Sequence, residues 1–130
     1  MRPAFSRETT VHIRVINPNT TASMTDKIGA CASRVAAGNT QIHVSQPDSG
    51  PVSIESHFDE AISAVGVLEE IRRGEAMGVD AYVIACFGDP GLLAARDMVV
   101  RERARDRARR SLDRSEFQDW DEVYRRAYSL

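Results

Sequence analysis

Short apolar runs alternate with longer amphipathic stretches along most of this chain. Three runs are rich in β-branched residues, are followed by turn-forming segments, and are therefore predicted to be strands: residues 11–16, 41–45 and 82–86. Between them, apolar residues recur at steps of three and four. This period predicts one helix from about residue 20 to Gly38 and another from about Ser53 to Met77. A further helix is predicted after Gly91.

The helical period also predicts which side chains are buried. In the first helix, the expected apolar face consists of Met24, Ile28, Cys31 or Ala32, and Val35. In the second helix, it consists of Ile54, Phe58, Ala61, Ile62, Val65, Leu68 and Ile71. Gly66 lies inside the second helix, where it could divide the segment into two helices.

Strands that alternate with helices predict an α/β fold with a parallel sheet and right-handed crossovers. We expect three strands in the order 2-1-3 with flanking helices. Arg14 interrupts the first apolar run, so one face of that strand is expected to be only partly covered. The third strand is apolar almost throughout, which is typical of a strand covered on both faces.

Composition narrows the class of protein. The chain has 130 residues, of which 42% are hydrophobic and 28% charged, as in a soluble single-domain protein. Its net charge of −2 argues against nucleic-acid or membrane binding by the chain as a whole. Two cysteines are too few for a disulfide framework, and no apolar signal core or membrane span is evident. A cytoplasmic location is therefore expected.

Candidate chemistry lies at the carboxyl ends of two predicted strands, where open parallel sheets bind ligands. Asn17 follows the first strand, and Cys86 stands at the end of the third. Each loop opens a helix, whose N-terminus would attract an anionic ligand and favour the thiolate form of Cys86. The alternative is that Cys86 is a small buried hydrophobic residue at a strand end. Cys31, inside an alanine-rich helix, is interpreted as structural.

Other polar residues give weaker signals. No zinc-ligand spacing is present, and the three histidines are scattered singly, so no metal site is predicted. The glycines match no nucleotide-binding fingerprint. Two acidic pairs, at residues 59–60 and 69–70, are interpreted as solvated helix faces. Asp89 either shapes the turn after the third strand or contacts a substrate.

Three segments of the chain resemble the aspartate/glutamate/hydantoin racemase superfamily, most closely its hydantoin and allantoin racemase branch. They are residues 16–20 (INPNT), 50–56 (GPVSIES) and 80–92 (DAYVIACFGDPGL), and the resemblance covers about residues 11–98. It implies a cofactor-independent racemase built from two similar α/β halves. One cysteine from each half would face the substrate's α-carbon, one removing a proton and the other returning one.

The resemblance also assigns residues to roles. It implies that Cys86 is the first catalytic cysteine and that Asn17, Phe87, Gly88 and Asp89 bind the substrate. No cofactor is implied, and the partner is a small molecule such as a hydantoin, allantoin or an amino-acid derivative. No nucleic acid or membrane partner is expected, and a homo-oligomer is left open.

The resemblance fades after about Met98, and residues 99–130 contain no cysteine. Residues 1–98 are therefore predicted to form an incomplete N-terminal α/β domain, the truncated first half of a two-domain racemase fold. Residues 99–130 are predicted to be a divergent, arginine-rich helical tail. Two apolar periods support the tail helices: Val100, Ala104, Ala108 and Leu112, then Phe117, Trp120, Tyr124 and Tyr128.

Three explanations of the tail are open. The chain is a truncated or frame-disrupted racemase, or a half-domain fused to a helical tail, or a chain whose arginine helix contacts nucleic acid or an acidic partner. Acidic residues between the arginines argue against the last of these. Two functions follow from the first two explanations. One is a racemase impaired by the missing second cysteine, and the other is a non-catalytic half-domain that binds a small anionic or cyclic-imide ligand or a partner protein.

Overall fold

The structure, a computed structural model, describes the backbone of residues 9–111 and the side chains in that range except at 102 and 104–111. It divides into two compact units, the first ending at Leu92 and the second beginning at Leu93. The predicted aromatic period of residues 117–128 lies outside the described residues.

Six elements alternate in the predicted order. They are β1 (Val11–Ile16), α1 (Ala22–Val35), β2 (Thr40–Ser45), α2 (His57–Ala76), β3 (Ala81–Ile84) and α3 (Leu92–Ser111). The strands form one sheet in the order β2-β1-β3, and both pairings are parallel. The predicted α/β class and the 2-1-3 strand order are thus confirmed. Helix α3 runs through residue 98, and the assignment of residues 99–130 to a separate tail stays a prediction.

The register of the sheet brings two loops to one edge. Ile16 lies opposite Ser45 on β2 and Ile84 on β3. Just beyond the strands, Asn17 N–H donates to Ser45 O at 2.9 Å, and Ala85 N–H donates to Ile16 O at 2.8 Å. Because parallel strands end at the same edge, the loops that follow β1 and β3 leave the sheet side by side.

Helix α1 packs through small residues instead of the predicted apolar face. Thr25 and Gly29 are its buried residues, whereas Met24 and Val35 are exposed. A Cβ added at Gly29 would lie 2.7 Å from Cγ1 of Val44, so the helix sits directly on β2. The predicted face is therefore wrong by about one position, because close approach selects the stripe of smallest side chains.

Helix α2 likewise turns a different face to the sheet from the predicted one. It is continuous through Gly66 and buries Ser63, Val67, Glu70, Ile71 and Gly74. Phe58, Ile62 and Val65 are exposed, so only the C-terminal part of the predicted stripe is correct. Cβ atoms added at Gly66 and Gly74 would lie 2.7 Å from Pro47 and 2.5 Å from the Tyr82 ring, respectively. Glycine at these positions allows α2 to approach β3 and the loop after β2.

The two helices cover opposite faces of the sheet. Val44 contacts α1, and its neighbours in register are Val15 on β1 and then Val83 on β3. Val15 is buried, but Val83 is 48% exposed, since α1 packs mainly on β2 and β1. The prediction that β3 is covered on both faces is therefore wrong within the first unit.

A buried ion pair holds β1 against α2. Nη2 of Arg14 donates to Oε2 of Glu70 at 2.6 Å, and the two residues are 8% and 1% exposed. The other oxygen of Glu70 accepts from Arg73 at 2.7 Å, and Arg73 also pairs with Asp48. Hydrogen bonding to Arg73 lowers the pKa of the exposed Asp48 carboxyl. The expectation that Glu70 is solvated is wrong. On the same face of β1, Arg14 and Ile16 are buried, whereas His12 is half-buried.

The turn after β1 is held by the side chain of Asn17, which is 1% exposed. Its Nδ2 donates to Oδ1 of Asn19 at 2.8 Å and to Oγ1 of Thr25 at 3.0 Å, while its Oδ1 accepts from Asn19 N–H at 3.3 Å. Thr25 Oγ1 in turn donates to Oε1 of Gln46 in the loop after β2. Asn17 therefore ties the end of β1 to the first turn of α1.

We expect Glu70→Gln to lower the free energy of unfolding by about 3 kcal/mol, because the Arg14 guanidinium would be left buried without a counter-charge. The matched control is Glu69→Gln in the next position, where the exposed pair with Arg72 predicts a loss of about 0.5 kcal/mol or less. Urea unfolding followed by circular dichroism measures both values. Equal losses in the two variants would contradict a structural role for the buried pair.

We expect Asn17→Ala to cost about 2 kcal/mol of unfolding free energy, because it removes the partner of buried polar groups on Asn19 and Thr25. Asn39→Ala is the control, since Asn39 is exposed in the turn before β2. The same unfolding measurement applies. If Asn17→Ala is as stable as the unchanged protein, the hydrogen bonds of Asn17 do not support the turn.

Candidate functional site

A pocket of about 420 Å³ opens at the carboxyl end of β3. The residues that line it are Ile84, Ala85, Cys86, Phe87 and Asp89. Cys86 is a free, half-buried thiol. The pocket therefore brings together three of the five residues that the sequence predicts for a site, namely Cys86, Phe87 and Asp89.

A tight turn presents Cys86 to this pocket. Cys86 N–H donates to Ile84 O at 3.0 Å, and Cys86 O accepts from Asp89 N–H at 3.1 Å. Asp89 O then accepts from Leu92 N–H at 3.1 Å, at the point where α3 begins. These bonds reverse the chain within four residues and leave the thiol at the strand end, as the sequence predicts for a residue that contacts a ligand.

Asp89 adopts a backbone conformation that is rare for its residue type. Its φ of 46° lies in the left-handed region, which costs non-glycine residues about 1 kcal/mol or more. Asp tolerates this region better than most side chains do, because its short carboxylate can bond locally. The conformation directs the chain from Cys86 into α3, so Asp89 shapes the turn and also lines the pocket.

The exposure of the other predicted residues differs widely. The Phe87 side chain projects fully into solvent at the rim of the pocket. Gly88 lies in the same turn, whereas Asn17 is buried in the neighbouring loop and is not among the residues that line the pocket. Cys31 is exposed on α1, away from these lining residues. Contact of Asn17 and Gly88 with a substrate stays a prediction.

The turn packs against the N-terminal part of α2. A Cβ added at Gly88 would lie 3.3 Å from Oε1 of Glu60, and one added at Gly91 would lie 3.3 Å from Ala64. Glu60 and Ala64 are one helical turn apart, so a single face of α2 supports both glycines. Gly91 also has a φ of 77°, which is unstrained only for glycine.

Glu60 is a residue beside the site that the sequence interpretation missed. Its carboxylate adjoins Gly88, and its Oε2 lies 3.6 Å from Nδ1 of the exposed His57. One sequence feature could have indicated Glu60. The family-like segment 50–56 directly precedes α2, so the first turn of this helix is expected close to that segment. The sequence analysis interpreted Asp59 and Glu60 as part of a solvated helix face. The structure instead places the Glu60 carboxylate beside Gly88.

The start of α2 is defined by a capping interaction. Ser56 Oγ accepts from Asp59 N–H at 3.2 Å and donates to Oδ2 of Asp59 at 2.8 Å. Glu55 N–H donates to the same carboxylate oxygen at 3.1 Å. The bond from Ser56, followed by that from Glu55, lowers the pKa of Asp59. Ser56 is thus the N-cap of α2, and Asp59 completes the capping interaction from inside the first turn, which also carries Glu60.

The described residues offer no built metal site. Among them, no three His, Cys, Asp or Glu side chains cluster as metal ligands would. His12 and His43, interpreted from the sequence as isolated, are hydrogen-bonded through Nδ1 and Nε2 at 3.0 Å with their rings nearly parallel. No helix within residues 9–111 is both long and apolar enough to cross a bilayer.

Comparisons with known proteins identify the family. The sequence profile of the Asp/Glu/Hydantoin racemase family matches residues 13–100. The chain is 57% identical over 86 residues to a hydantoin racemase from Pseudomonas sp. (strain NS671), covering 66% of this chain and 34% of that protein. It is 56% identical over 88 residues to a hydantoin racemase from Rhizobium meliloti, covering 68% and 36%.

Solved structures agree with the sequence relatives. The allantoin racemase from Klebsiella pneumoniae superposes with a TM-score of 0.65 at 64% identity, over 66% of this chain and 35% of that one. The chain thus spans about a third of the length of the relatives that it matches. The fold, the motifs at the sheet edge and these similarities lead to one conclusion: this chain belongs to the Asp/Glu/hydantoin racemase family.

Proposed function

We propose that this chain carries one half of a racemase site for hydantoin- or allantoin-type substrates, with Cys86 as a catalytic base. The observation that supports the proposal is the position of Cys86, a half-buried free thiol in a pocket at the carboxyl end of β3. The family membership of the chain and its similarity to hydantoin and allantoin racemases support this substrate class.

The proposed chemistry is proton transfer at a carbon next to a ring carbonyl. The Cys86 thiolate takes the α-proton, so the C–H bond breaks, an S–H bond forms, and the electron pair moves onto the carbonyl oxygen. Return of a proton to the opposite face completes racemisation and requires a second acid. A hydantoin ring suits this step because its carbonyl already stabilises the developing charge, so the mechanism invokes no cofactor.

A second cysteine that could supply this acid is missing from the pocket. Besides Cys86 the chain's one other cysteine is Cys31, which is exposed on α1 and absent from the pocket lining. A site with one base removes and returns the proton on the same face. We therefore propose that the chain exchanges the α-proton with solvent but inverts the carbon slowly.

The alternative function is ligand binding without catalysis. The absence of a second cysteine from the pocket favours this alternative, because ligand binding requires only the pocket. Both functions predict that hydantoins bind, but only the enzymatic one predicts exchange that depends on the Cys86 thiol.

We expect the chain to exchange the α-proton of an enantiopure 5-substituted hydantoin for deuterium faster than buffer does, while optical rotation changes at close to the buffer rate. Proton NMR in D₂O measures the exchange, and polarimetry measures the inversion. Cys86→Ser is expected to reduce the exchange to the buffer rate, because a serine hydroxyl is a far weaker base than a thiolate.

Cys31→Ser is the matched control and is expected to exchange at the unchanged rate. Exchange that persists in Cys86→Ser would remove Cys86 from the catalytic role. Saturable binding of the hydantoin without Cys86-dependent exchange would instead support the non-catalytic alternative.

A further inference from the structure

Two carboxylates lie on or beside the turn that carries Cys86. Asp89 lines the pocket, and Glu60 adjoins Gly88, where an added Cβ would lie 3.3 Å from Oε1 of Glu60. None of the described residues that line the pocket carries a positive charge. The helix N-terminus after Asp89 supplies only about half a positive unit charge. Carboxylates at these two positions would oppose the binding of an anionic ligand beside Cys86.

The position of Glu60 follows from the packing of α2. Glu60 lies on the same helical stripe as Ala64, Val67, Ile71 and Gly74, at steps of four, seven, eleven and fourteen residues. Val67, Ile71 and Gly74 are buried against the sheet. Glu60 is therefore the polar N-terminal end of the buried stripe. It lies beside Gly88 because the rest of the stripe packs against the sheet.

We propose that Glu60, together with Asp89, determines substrate specificity at Cys86 by accepting N–H groups of a neutral ring and rejecting substrates that carry a carboxylate. This inference rests on the proposed function and names the substrate class of the same site. It replaces the sequence-based expectation of an anionic ligand.

A hydantoin and its ring-opened product differ in charge, which is the property that Glu60 would select. A hydantoin ring is neutral and presents two N–H donors beside its carbonyls. Its ring-opened form, an N-carbamoyl amino acid, has nearly the same atoms but carries a carboxylate. A charged oxygen of Glu60 would make a charge-assisted hydrogen bond with a ring N–H, which is about twice as strong as a neutral one. The same oxygen would repel the ring-opened carboxylate.

A purely structural role for Glu60 makes a different prediction. The Glu60 side chain is 39% exposed, and its contact with the exposed His57 is open to solvent. If Glu60 serves only the helix dipole or that pair, replacing it would change the stability of α2 without changing the charge selectivity at Cys86.

The first test uses the alkylation rate of Cys86 by two reagents of similar shape, neutral iodoacetamide and anionic iodoacetate. It is performed on the full chain in a Cys31→Ser background, with peptide mass spectrometry as the readout and circular dichroism to verify folding. Glu60→Gln is expected to raise the iodoacetate rate relative to the iodoacetamide rate about two- to threefold at low salt, as removal of one nearby unit charge predicts. The change should shrink at high salt.

Glu69→Gln is the control, because it removes the same charge from an exposed site of α2 that pairs with Arg72. Its reagent ratio is expected to stay unchanged. An unchanged ratio in Glu60→Gln, or an equal change in Glu69→Gln, would overturn the proposal regardless of whether the chain is a racemase.

The second test measures binding by NMR of 5-methylhydantoin and N-carbamoylalanine. Glu60→Gln is expected to weaken the hydantoin and strengthen the carboxylate ligand, each by about threefold or more. A shift in the alkylation ratio with no hydantoin binding at all would support charge selection by Glu60 and contradict the proposed racemase function. Equal weakening of both ligands would overturn the specificity role.

Discussion

Parallel hydrogen bonding of the central strand β1 to both of its neighbours is the constraint on which the site depends. Ile16 is in register with Ser45 and Ile84, so the chain leaves all three strands at one edge. The backbone bond from Ala85 to Ile16 extends this pairing past the end of β3 and holds the residue before Cys86 in place. A thiol that follows a strand end is thereby fixed beside a second loop, although 69 positions separate Asn17 from Cys86.

Polar and small residues, besides the buried Val67 and Ile71, determine the orientation of α2 on this sheet. Its buried face combines Glu70, which pairs with Arg14 of β1, with a glycine that accommodates the ring of Tyr82. This rotation of the helix exposes Phe58 and turns Glu60 toward Gly88, in the turn that carries Cys86. A buried ion pair is weak evidence for net stability, but its geometry restricts how the helix can sit.

The charge at the sheet edge also changes the chemical interpretation of the pocket. A helix N-terminus alone predicts an anion site, whereas Asp89 and Glu60 bring opposite charge to the same place. Carboxylates beside Cys86 favour a neutral ligand over an anionic one. The chain spans about a third of the length of its relatives. If Cys86 is the base that we propose, the described residues of that third form one side of a proton-transfer site.

Sequence alone determined the element order, the strand order, the family and the placement of Cys86 at a strand end. These properties depend on local patterns and motifs, which can be recognised without knowing how the helices pack on the sheet. Tertiary structure alone decided the buried faces of α1 and α2, the burial of Glu70, the internal hydrogen bonds of Asn17 and the approach of Glu60 to Gly88. Periodicity identifies a buried face by its apolar residues alone. The helix faces that pack are those whose small side chains permit close approach to the sheet, and whose charged side chains form ion pairs with it.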